Sequence, residues 1–499
     1  MPFRREPQCD TPFCDSHSRR ISSSDLYTWK NLPIAIAPDK LGGRIFSGSA
    51  VLDRNNTTGF FDITVHPENR FVAIYTLNTA TAQDQHIAYS TDGVTFTKHP
   101  DPVLAINSTQ FRDPKVFWDE ISRQWVMTIA HPQEYAIVFY GSPNLKTWTE
   151  VSRFKTGGLL GYQYECPGLV QVPIEGGPDD GKKLWVLFIS INPGAPLGGS
   201  AVQYFIGDWN GKAFTSRDAA ARVAEFSKDW YAFQSWEGSP DGKLYGIAWA
   251  SNWQYSQIVP TSTFRSVQSL PRELAITYYR PNPLYGDWNL INRPVSLAGV
   301  TDKTLYLFAD DKAVDKATTC KTVDLEGDGG FDIEAIFFVP ATANITWESI
   351  GSFEIISSKG GESIITGIQM GEPAVLYIDR SNAGEWGNKN PFFTDKTSAI
   401  LRYQATYPND RHILGTVAMS PFDLPAAEQP SGKDETIKLR AIVDRTILEV
   451  FGNDGLLSGT NTFFFSNDGI PATLKVYLGD GQIQLKDLSV KSIRSTWQH

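Results

Sequence analysis

Long apolar segments are absent from this 499-residue sequence. No run approaches the roughly 18 consecutive apolar residues that a membrane-spanning helix needs. An excess of positive charge is absent too: the net charge is −10, and an acidic chain is repelled by a phosphate backbone. We therefore expect neither a membrane nor a nucleic acid as a partner. Hydrophobic residues make up 41% and charged residues 20%, as in ordinary soluble globular proteins.

Cysteine and histidine are scarce, with 4 and 7 copies. The cysteines are Cys9, Cys14, Cys166 and Cys320, and their spacing is not that of a zinc site. We therefore predict no metal site and no cofactor. Cys166 lies in an apolar segment, where we expect it to be a small buried hydrophobe.

A secretory leader is not recognisable in the first 20 residues, which are polar, rich in arginine and interrupted by proline. We treat residues 1–20 as an atypical N-terminal stretch. Acceptor triplets for N-linked glycans still favour a secreted glycoprotein, and they are Asn55, Asn56, Asn107 and Asn344. We predict a secreted or cell-wall-associated protein in its full-length form, with an intracellular protein as the alternative.

Helical periodicity is almost absent, and one strand pattern recurs instead. An apolar strand begins at Arg70, Arg123, Lys183 and Lys243, with spacings of 53, 60 and 60 residues. Each is rich in β-branched or aromatic residues and follows turn-forming residues. A fixed period of this length is typical of propeller blades and other repeat folds.

Each repeat has further strands around this one. An apolar strand precedes it, at Ile45, Phe111, Glu165 and Tyr231. A second apolar strand and then a polar-edged strand follow it in the first three repeats. The polar-edged strands end at Phe96, Trp148 and Phe214, and one more copy ends at Trp29. We predict four-stranded blades of a β-propeller, with a first blade that is incomplete in this sequence.

The repeat ends near residue 290, and a different strand type begins near residue 303. These later strands alternate apolar and polar residues and are joined by Asn-Asp-Gly and Gly-Asp-Gly turns, as in a half-buried antiparallel sandwich. We predict an all-β chain with a propeller over 21–290, an irregular linker over 291–302 and a β-sandwich over 303–499. The sandwich is also where we expect a possible homodimer contact.

Two carboxylates recur at the same place in neighbouring repeats, Asp113 and Glu165. Inner strands of a propeller converge on its axis, so their ends share one pocket, and paired carboxylates suit glycoside hydrolysis. Glu165, among apolar neighbours, is the better acid candidate, whereas Asp113 beside Arg112 should stay ionised. The structural alternatives are a strand-capping Arg-Asp turn and a buried Glu satisfied by backbone donors.

Other side chains fall at equivalent places, and each has a core-packing alternative. Phe46, Ser47 and Tyr231 begin inner strands of the repeat. Asn252 and Trp253 end the last repeated strand, where aromatic rings could form the floor of a sugar site.

Several motifs together resemble glycoside hydrolase family 32, with the fungal invertase (β-fructofuranosidase) branch most similar and inulinases next. The resemblance extends over residues 22–499. Its motifs are Phe46-Ser-Gly-Ser, Phe111-Arg-Asp-Pro, Tyr164-Glu-Cys-Pro-Gly, Asn192-Pro-Gly-Ala-Pro, Trp249-Ala-Ser-Asn-Trp and the late stretch Arg440–Phe451.

The resemblance implies a five-bladed propeller followed by a β-sandwich, and cleavage of sucrose or short fructans by a retaining double displacement. It implies that Glu165 is the general acid/base and that Asp113 stabilises the transition state by binding fructose hydroxyls. It further implies substrate contacts by Arg112, Phe46, Ser47, Tyr231 and Trp253. We add Asn252 as a contact because it stands between two tryptophans at the end of the repeated strand.

The sequence departs from the family at the nucleophile, an Asp in a Trp-Met-Asn-Asp-Pro-Asn-Gly motif that does not occur here. Asp410 and Asp468 belong to turn signals, and Asp10 and Asp15 lie in the atypical stretch. Three hypotheses follow: an enzyme whose nucleophile segment is missing from this sequence, an inactive sucrose- or fructan-binding protein, and a fructosyltransferase of the same family.

We predict that the polypeptide with this sequence is poorly active, because loss of one member of a concerted catalytic set costs about four orders of magnitude or more. We predict that it is also poorly soluble, because the missing strands leave edge strands and apolar faces of the neighbouring blade exposed. Soluble expression and sucrose turnover of the purified chain are the measurements. Rapid turnover by a soluble chain would contradict the prediction.

Overall fold

The computed structural model describes residues 21–38, 43–155, 160–261, 267–282, 285–314, 318–371, 374–393, 396–402 and 434–496. Residues 1–20 with Cys9, Cys14, Asp10 and Asp15, and the turn at Asp410, lie outside the described residues. The regular secondary structure of the described part is almost entirely strand. It contains one short α-helix, Glu385–Lys389, and none of its helices is long and apolar enough to cross a membrane.

The first twenty strands belong to the N-terminal part. In chain order they are β1 (Ile21–Ser22), β2 (Lys30–Asn31), β3 (Arg44–Leu52), β4 (Phe71–Asn78), β5 (Gln83–Ser90), β6 (Thr97–Lys98), β7 (Arg112–Asp119), β8 (Gln124–His131), β9 (Ala136–Ser142), β10 (Thr149–Phe154), β11 (Tyr164–Pro173), β12 (Lys183–Ile191), β13 (Ala201–Trp209), β14 (Phe214–Ser216), β15 (Arg222–Val223), β16 (Tyr231–Trp236), β17 (Leu244–Ala250), β18 (Val267–Gln268), β19 (Arg272–Asn282) and β20 (Tyr285–Pro294).

Twelve strands make the C-terminal part. They are β21 (Thr301–Val314), β22 (Thr318–Asp324), β23 (Gly330–Val339), β24 (Ile350–Ser357), β25 (Ser363–Gln369), β26 (Ala374–Asp379), β27 (Lys396–Arg402), β28 (Glu435–Asp444), β29 (Ile447–Gly452), β30 (Leu457–Thr462), β31 (Pro471–Leu478) and β32 (Gln484–Ile493). Short 3-10 helices lie at Pro67–Asn69, Pro132–Glu134, Leu297–Gly299, Asn453–Gly455 and Ser466–Asp468.

Strands β3 to β20 form four antiparallel sheets in the order of the repeat. Their paths are β3-β4-β5-β6, β7-β8-β9-β10, β11-β12-β13-β14 and β16-β17-β19-β20, with β15 and β18 as side pairings. The first strands contact one another in sequence, β3 with β7, β7 with β11, and β11 with β16. The predicted four-stranded repeat and the propeller arrangement are thereby confirmed.

The polar segments predicted as edge strands are turns. In the segment ending at Phe96, Oδ1 of Asp92 accepts hydrogen bonds from the backbone N–H groups of Val94 and Thr95, at 2.6 and 2.7 Å. The strand proper, β6, begins after the aromatic residue. A side-chain oxygen that satisfies two consecutive backbone donors gives a turn and not a ladder.

The same turn recurs throughout the N-terminal part. The accepting oxygen belongs to Asp25, Asn144 and Asn210 in the other copies, and each accepts from the N–H groups two and three residues later. In the copy at Asp25, the turn joins β1 and β2, which pair with each other. The β1–β2 hairpin therefore has the form of the outer hairpin of a further repeat.

Part of the predicted irregular linker is strand. β20 continues to Pro294 and pairs with β19 down to Arg272. Its polar residues look like loop residues in the sequence, but Asn289 and Asn292 are buried and donate to Leu456 O and Ser458 Oγ of the C-terminal part. These side chains lie at the interface between the N-terminal and C-terminal parts. A strand with polar residues at such an interface has the same sequence pattern as a loop.

The C-terminal part is the predicted β-sandwich. Its two six-stranded sheets have the paths β21-β32-β23-β28-β29-β30 and β22-β31-β24-β25-β26-β27. Alternate residues point between them, so that Phe331, Ile333, Phe353, Leu448 and Leu474 share one buried core. This alternation is the pattern that the sequence shows from residue 303 onward.

Buried ion pairs join the two parts. Arg272 of β19 lies 3.3 Å from Glu225 and contacts Glu449 of the sandwich, and all three side chains are almost fully buried. Burial is the main reason why the pKa of Glu225 rises to about 7, although Arg272 opposes it. Burial also raises the pKa of Glu449. One cation thus serves two carboxyls at the interface.

Replacing Arg272 by Met should destabilise the protein by about 3–5 kcal/mol at neutral pH, because two buried carboxylates lose their cation. The loss should shrink at acidic pH. Both carboxyls have raised pKa values in the fold, so the folded state takes up protons first and the unpaired charges disappear as pH falls.

Urea unfolding at pH 5 and pH 8 measures both effects. Arg293→Met is the matched control, since Arg293 pairs with Glu175 at a partly exposed position. Its cost should stay below about 1 kcal/mol at either pH. A pH-independent loss in Arg272→Met would contradict the explanation.

Candidate active site

Each first strand carries a β-bulge near its beginning. The register shifts lie between Phe46 and Gly48, Arg112 and Lys115, Glu165 and Gly168, and Tyr231 and Gln234. A bulge inserts one residue and re-aims the side chains beside it. Four neighbouring strands therefore present their bulged ends at the same place around the axis.

Three of these bulges hold a non-glycine residue in the left-handed region. The φ angles are 64° at Asp113, 47° at Cys166 and 53° at Ala232. This conformation is uncommon for residues with a Cβ, and it recurs where surrounding contacts or function require it. Asp113 is one of the two carboxylate residues that the sequence singled out, and Cys166 directly follows the other, Glu165.

Glu165 is held between two strands. Oε1 accepts a hydrogen bond from Arg112 Nε at 3.0 Å, and Arg112 Nη2 lies 3.0 Å from the same oxygen. Oε2 accepts a short hydrogen bond from the Tyr231 hydroxyl. The side chain of Glu165 is 17% exposed and that of Arg112 is 9% exposed. Glu165 therefore remains partly accessible from solvent.

The Arg112 guanidinium is itself held by amides that the sequence analysis missed. Its Nη1 donates to Gln110 Oε1 at 2.8 Å and to Gln83 Oε1 at 3.3 Å. Gln83 also accepts from Phe111 N at 2.8 Å. The available signal was the alternation of Gln83 and Gln85 at the start of β5, which places two amides on one face of a strand.

Asp113 is buried at the adjoining bulge. Its Oδ2 accepts from the backbone N–H of Cys166 at 2.9 Å. Its own N–H donates to Thr76 Oγ1 at 3.3 Å, and Thr76 lies opposite Phe46 in the first sheet. Asp113 thereby connects β7 with β4 of the first sheet and with β11 of the third.

Arg112 does not hold the pKa of Asp113 low, although the sequence analysis expected it to keep this carboxyl ionised. Arg112 extends to Glu165, and burial followed by the charge of Glu165 raises the pKa of Asp113, which Arg112 only partly opposes. Both side chains reach β11, but Arg112 contacts the Glu165 carboxyl whereas Asp113 accepts from Cys166 N. Adjacency in sequence therefore does not make Arg112 and Asp113 an ion pair.

The Tyr231 hydroxyl and the Cys166 thiol both have raised pKa values. Burial and the charge of Glu165 raise the pKa of Tyr231 well above its usual value, so its hydroxyl remains a donor. Burial and the charge of Asp113 likewise raise the pKa of the Cys166 thiol. Cys166 was predicted to be an inert buried hydrophobe, but it is half-buried and unpaired, and its Sγ lies 3.6 Å from Asp113 Oδ2.

The remaining predicted residues divide into two groups. Phe46 and Ser47 lie at the bulged end of β3, half-buried and exposed respectively. Trp253 is 37% exposed and connects to Tyr231 through Trp249, with ring centroids 5.0 and 6.0 Å apart. All three side chains are at least partly exposed.

Asn252 has a different role from the predicted substrate contact. It is fully buried, and its Nδ2 donates to the carbonyls of Gly198, Ser200 and Lys228 at 3.1–3.2 Å. Its Oδ1 accepts from Gln254 N. The side chain is occupied in holding loops together, so the structure does not offer it to a ligand.

A lysine near the axis was also missed. Lys115 is buried on β7, and its Nζ donates to Ser235 O of β16 at 2.7 Å and pairs with Glu237 at 3.1 Å. A charged residue within the apolar strand Arg112–Asp119 was the available signal.

Within the described residues no cluster of His, Cys, Asp or Glu could hold a metal ion.

Two carboxyls of unequal surroundings thus lie on the adjoining bulges of β7 and β11. Such a pair suits acid–base chemistry at a glycosidic oxygen together with binding of ring hydroxyls. Glu165 has the donors and the exposure for the first task, and Asp113 the buried position for the second.

Comparisons with known proteins agree with this chemistry. The sequence model described as "Glycosyl hydrolases family 32 N-terminal domain" matches residues 14–285, and the corresponding C-terminal model matches residues 310–492. An extracellular exo-inulinase of Meyerozyma guilliermondii is 39% identical over 97% of this chain and 87% of its own length. Invertase 2 of Saccharomyces cerevisiae is also 39% identical, with the same two coverages.

Solved structures are similar along the whole chain. A fructofuranosidase from Schwanniomyces occidentalis, complexed with fructose, has a TM-score of 0.82 and 36% identity, covering 96% of this chain and 89% of that chain. The exo-inulinase of Aspergillus awamori has a TM-score of 0.78 and 26% identity, covering 96% of this chain and 90% of that chain.

Replacing Asp113 by Asn should stabilise the fold above neutral pH by roughly 1–2 kcal/mol. A buried carboxyl with a raised pKa favours the fold while it is protonated, and this contribution is lost as pH rises through the raised pKa. The amide carries no charge, yet its oxygen can still accept from Cys166 N. The gain should vanish near pH 4.

Urea unfolding at pH 4 and pH 8 is the measurement. Asp119→Asn at the other end of β7 is the control. It should lose stability because both oxygens of Asp119 accept backbone N–H groups, of Ile121 at 3.4 Å and Ser122 at 2.9 Å, and an amide has only one oxygen. Equal stability of Asp113→Asn and the wild type at pH 8 would show that the buried charge is not costly.

Proposed function

Because this chain belongs to family 32 of the glycosyl hydrolases, we propose that it cleaves terminal β-D-fructofuranosyl residues from sucrose and short fructans. The observation that carries the proposal is the placement of Glu165, whose two oxygens are held by Arg112 and Tyr231 at a partly exposed position beside buried Asp113. The relatives named invertase and exo-inulinase support the substrate class.

In this proposal Glu165 donates a proton to the glycosidic oxygen and later takes one from the incoming water. The Tyr231 hydroxyl and the Arg112 guanidinium orient its carboxyl, one at each oxygen. Loss of the proton leaves a carboxylate that the guanidinium stabilises, and the same group can then act as the base. Asp113 binds fructose hydroxyls, with Phe46, Ser47 and Trp253 as further contacts.

A retaining mechanism needs a second carboxylate as nucleophile, about 5–5.5 Å from the acid/base. The family's Trp-Met-Asn-Asp-Pro-Asn-Gly motif does not occur among the 499 residues. This observation favours a second candidate function, binding of fructose-containing sugars without turnover. Both candidates use the same pocket and differ only in whether the covalent step takes place.

We further propose that the propeller has five blades. The β1–β2 hairpin with its Asp25 turn repeats the outer hairpin of the other sheets, which supports a fifth unit beside the four complete sheets. The propeller domain of this proposal begins at residue 21 and extends beyond the predicted limit of 290 to the end of β20 at Pro294, and a connecting segment leads to the sandwich domain over 303–499.

We also propose that the protein acts outside the cell. The similarity to an extracellular exo-inulinase supports this location. Asn55, Asn107 and Asn344 are exposed and open to a glycan, whereas the Asn56 amide donates to Phe61 O and its oxygen accepts from Phe61 N.

Glu165→Gln should lower sucrose cleavage by about 10²–10⁴-fold, because the amide cannot donate or take up the proton. Release of glucose and fructose from sucrose is the measurement, and less free fructose than glucose would indicate fructosyl transfer. Glu354→Gln on the sandwich is the control and should keep wild-type rates. Wild-type rates in Glu165→Gln would refute the role of Glu165.

Calorimetric titration with fructose separates the two candidates. Binding by the wild type without any release of glucose from sucrose would identify a binding protein. In either case Asp113→Asn should weaken fructose binding at pH 8, above the raised pKa of Asp113, because a carboxylate accepts stronger hydrogen bonds from hydroxyls than an amide does.

A further inference from the structure

The segment 251–259, here called the site loop, contacts the site at one point and the sandwich at another. Trp253 connects through Trp249 to Tyr231, and Tyr255 contacts Trp386 and Phe393 of the sandwich. The site loop carries the exposed Trp253. Its turn is closed by the N–H groups of Tyr255 and Ser256, which donate to Asn252 O at 3.1 and 2.9 Å. The buried Asn252 side chain ties the same loop to Lys228 O. The position of Trp253 therefore depends on how residues 252–256 are anchored.

Tyr255 anchors the site loop to the sandwich. It is fully buried, and its hydroxyl donates a short hydrogen bond to Asp229 and accepts one from Arg380 Nη2 at 3.2 Å. Its ring packs on the rings of Phe393 and Trp386, with centroids 5.3 and 6.1 Å away. Arg380 and both of these aromatic residues belong to the sandwich.

The pair of Asp229 and Arg380 is the centre of this contact. Both side chains are fully buried, and Arg380 Nη1 lies 2.8 Å from Asp229 Oδ2. Thr462 of the sandwich donates its N–H and its hydroxyl to the same oxygen, at 2.8 and 2.9 Å. A buried pair of this kind is satisfied in one geometry only, since displacement leaves a charge unpaired in a medium of low dielectric constant.

Asp229 also stands two residues before Tyr231 in the chain. Tyr231 begins β16 and donates to Glu165. The carboxylate that receives Arg380 is thus connected along the backbone to the partner of Glu165 and through Tyr255 to the site loop.

We propose that Arg380 of the sandwich is a positioning residue for the sugar pocket, which it holds through Asp229 and Tyr255. Its guanidinium fixes both the start of β16 and the site loop, so the sandwich sets the distance between Trp253 and Glu165. The role in sugar binding rests on the proposed function; the anchoring of the site loop does not.

Tyr255→Phe removes only the hydroxyl shared by Asp229 and Arg380, and it is the first test. Tyr204→Phe is the matched control, because Tyr204 is equally buried and its hydroxyl accepts from Leu290 N at 3.2 Å, away from the site loop. Hydrogen exchange of peptides covering residues 251–259 should become about three- to tenfold faster in Tyr255→Phe and stay unchanged in the control.

Fructose titration is the second readout on the same proteins. The Kd should rise about three- to tenfold in Tyr255→Phe and remain that of the wild type in Tyr204→Phe. Unchanged exchange of the site loop in Tyr255→Phe, or equal effects in both variants, would overturn the proposal. Faster exchange with an unaltered Kd would overturn the positioning role as well.

Arg380→Lys tests the arginine itself. Lysine keeps the charge but lacks the planar fork that contacts Asp229 and Tyr255 together, so the exchange of the site loop should again rise. If the wild type does not bind fructose at all, the proposed function fails, while the exchange data still decide whether Arg380 and Tyr255 hold the loop. Protected exchange in Arg380→Lys would refute the role of the guanidinium.

Discussion

The ion pair between Arg112 and Glu165 is the interaction on which the rest of the site depends. It joins two neighbouring first strands at their bulged ends, and the Tyr231 hydroxyl extends the contact to a third. Since Arg112 is engaged with Glu165, the nearby carboxyl of Asp113 is left with burial and a like charge, which together raise its pKa. The unequal surroundings of the two carboxyls therefore follow from the direction of one guanidinium.

The bulges are the geometric cause of that direction. In a regular strand, consecutive side chains point to opposite faces, and Arg112 and Asp113 could not both reach the axis. One inserted residue and a φ of 64° at Asp113 turn both toward it. The same device recurs at Glu165 and Tyr231. The local strain is maintained because Thr76 and Cys166 N both bind Asp113.

Much of the fold could be predicted from the sequence, because strand length and alternation report burial directly. The four-stranded repeat, the sandwich and the grouping of Arg112, Asp113, Glu165 and Tyr231 follow from pattern and spacing. Three features could not be predicted, since they depend on partners distant in the chain. These are the pairing of Arg112 with Glu165, the buried role of Asn252, and the strand around Asn289 whose polar residues face the sandwich.

The interface between propeller and sandwich shows why a domain without catalytic groups can still determine a site. Apolar contact alone tolerates small shifts, since dispersion and hydrophobic burial are not directional. Buried pairs such as Arg380 with Asp229 and Arg272 with Glu225 are directional and lose their compensation when displaced. Asp229 lies two residues before the start of β16. Arg272 lies on β19, which pairs with β17, the neighbour of β16. The position of the sandwich therefore determines the position of β16, which carries Tyr231, and through Tyr231 the position of the Glu165 carboxyl.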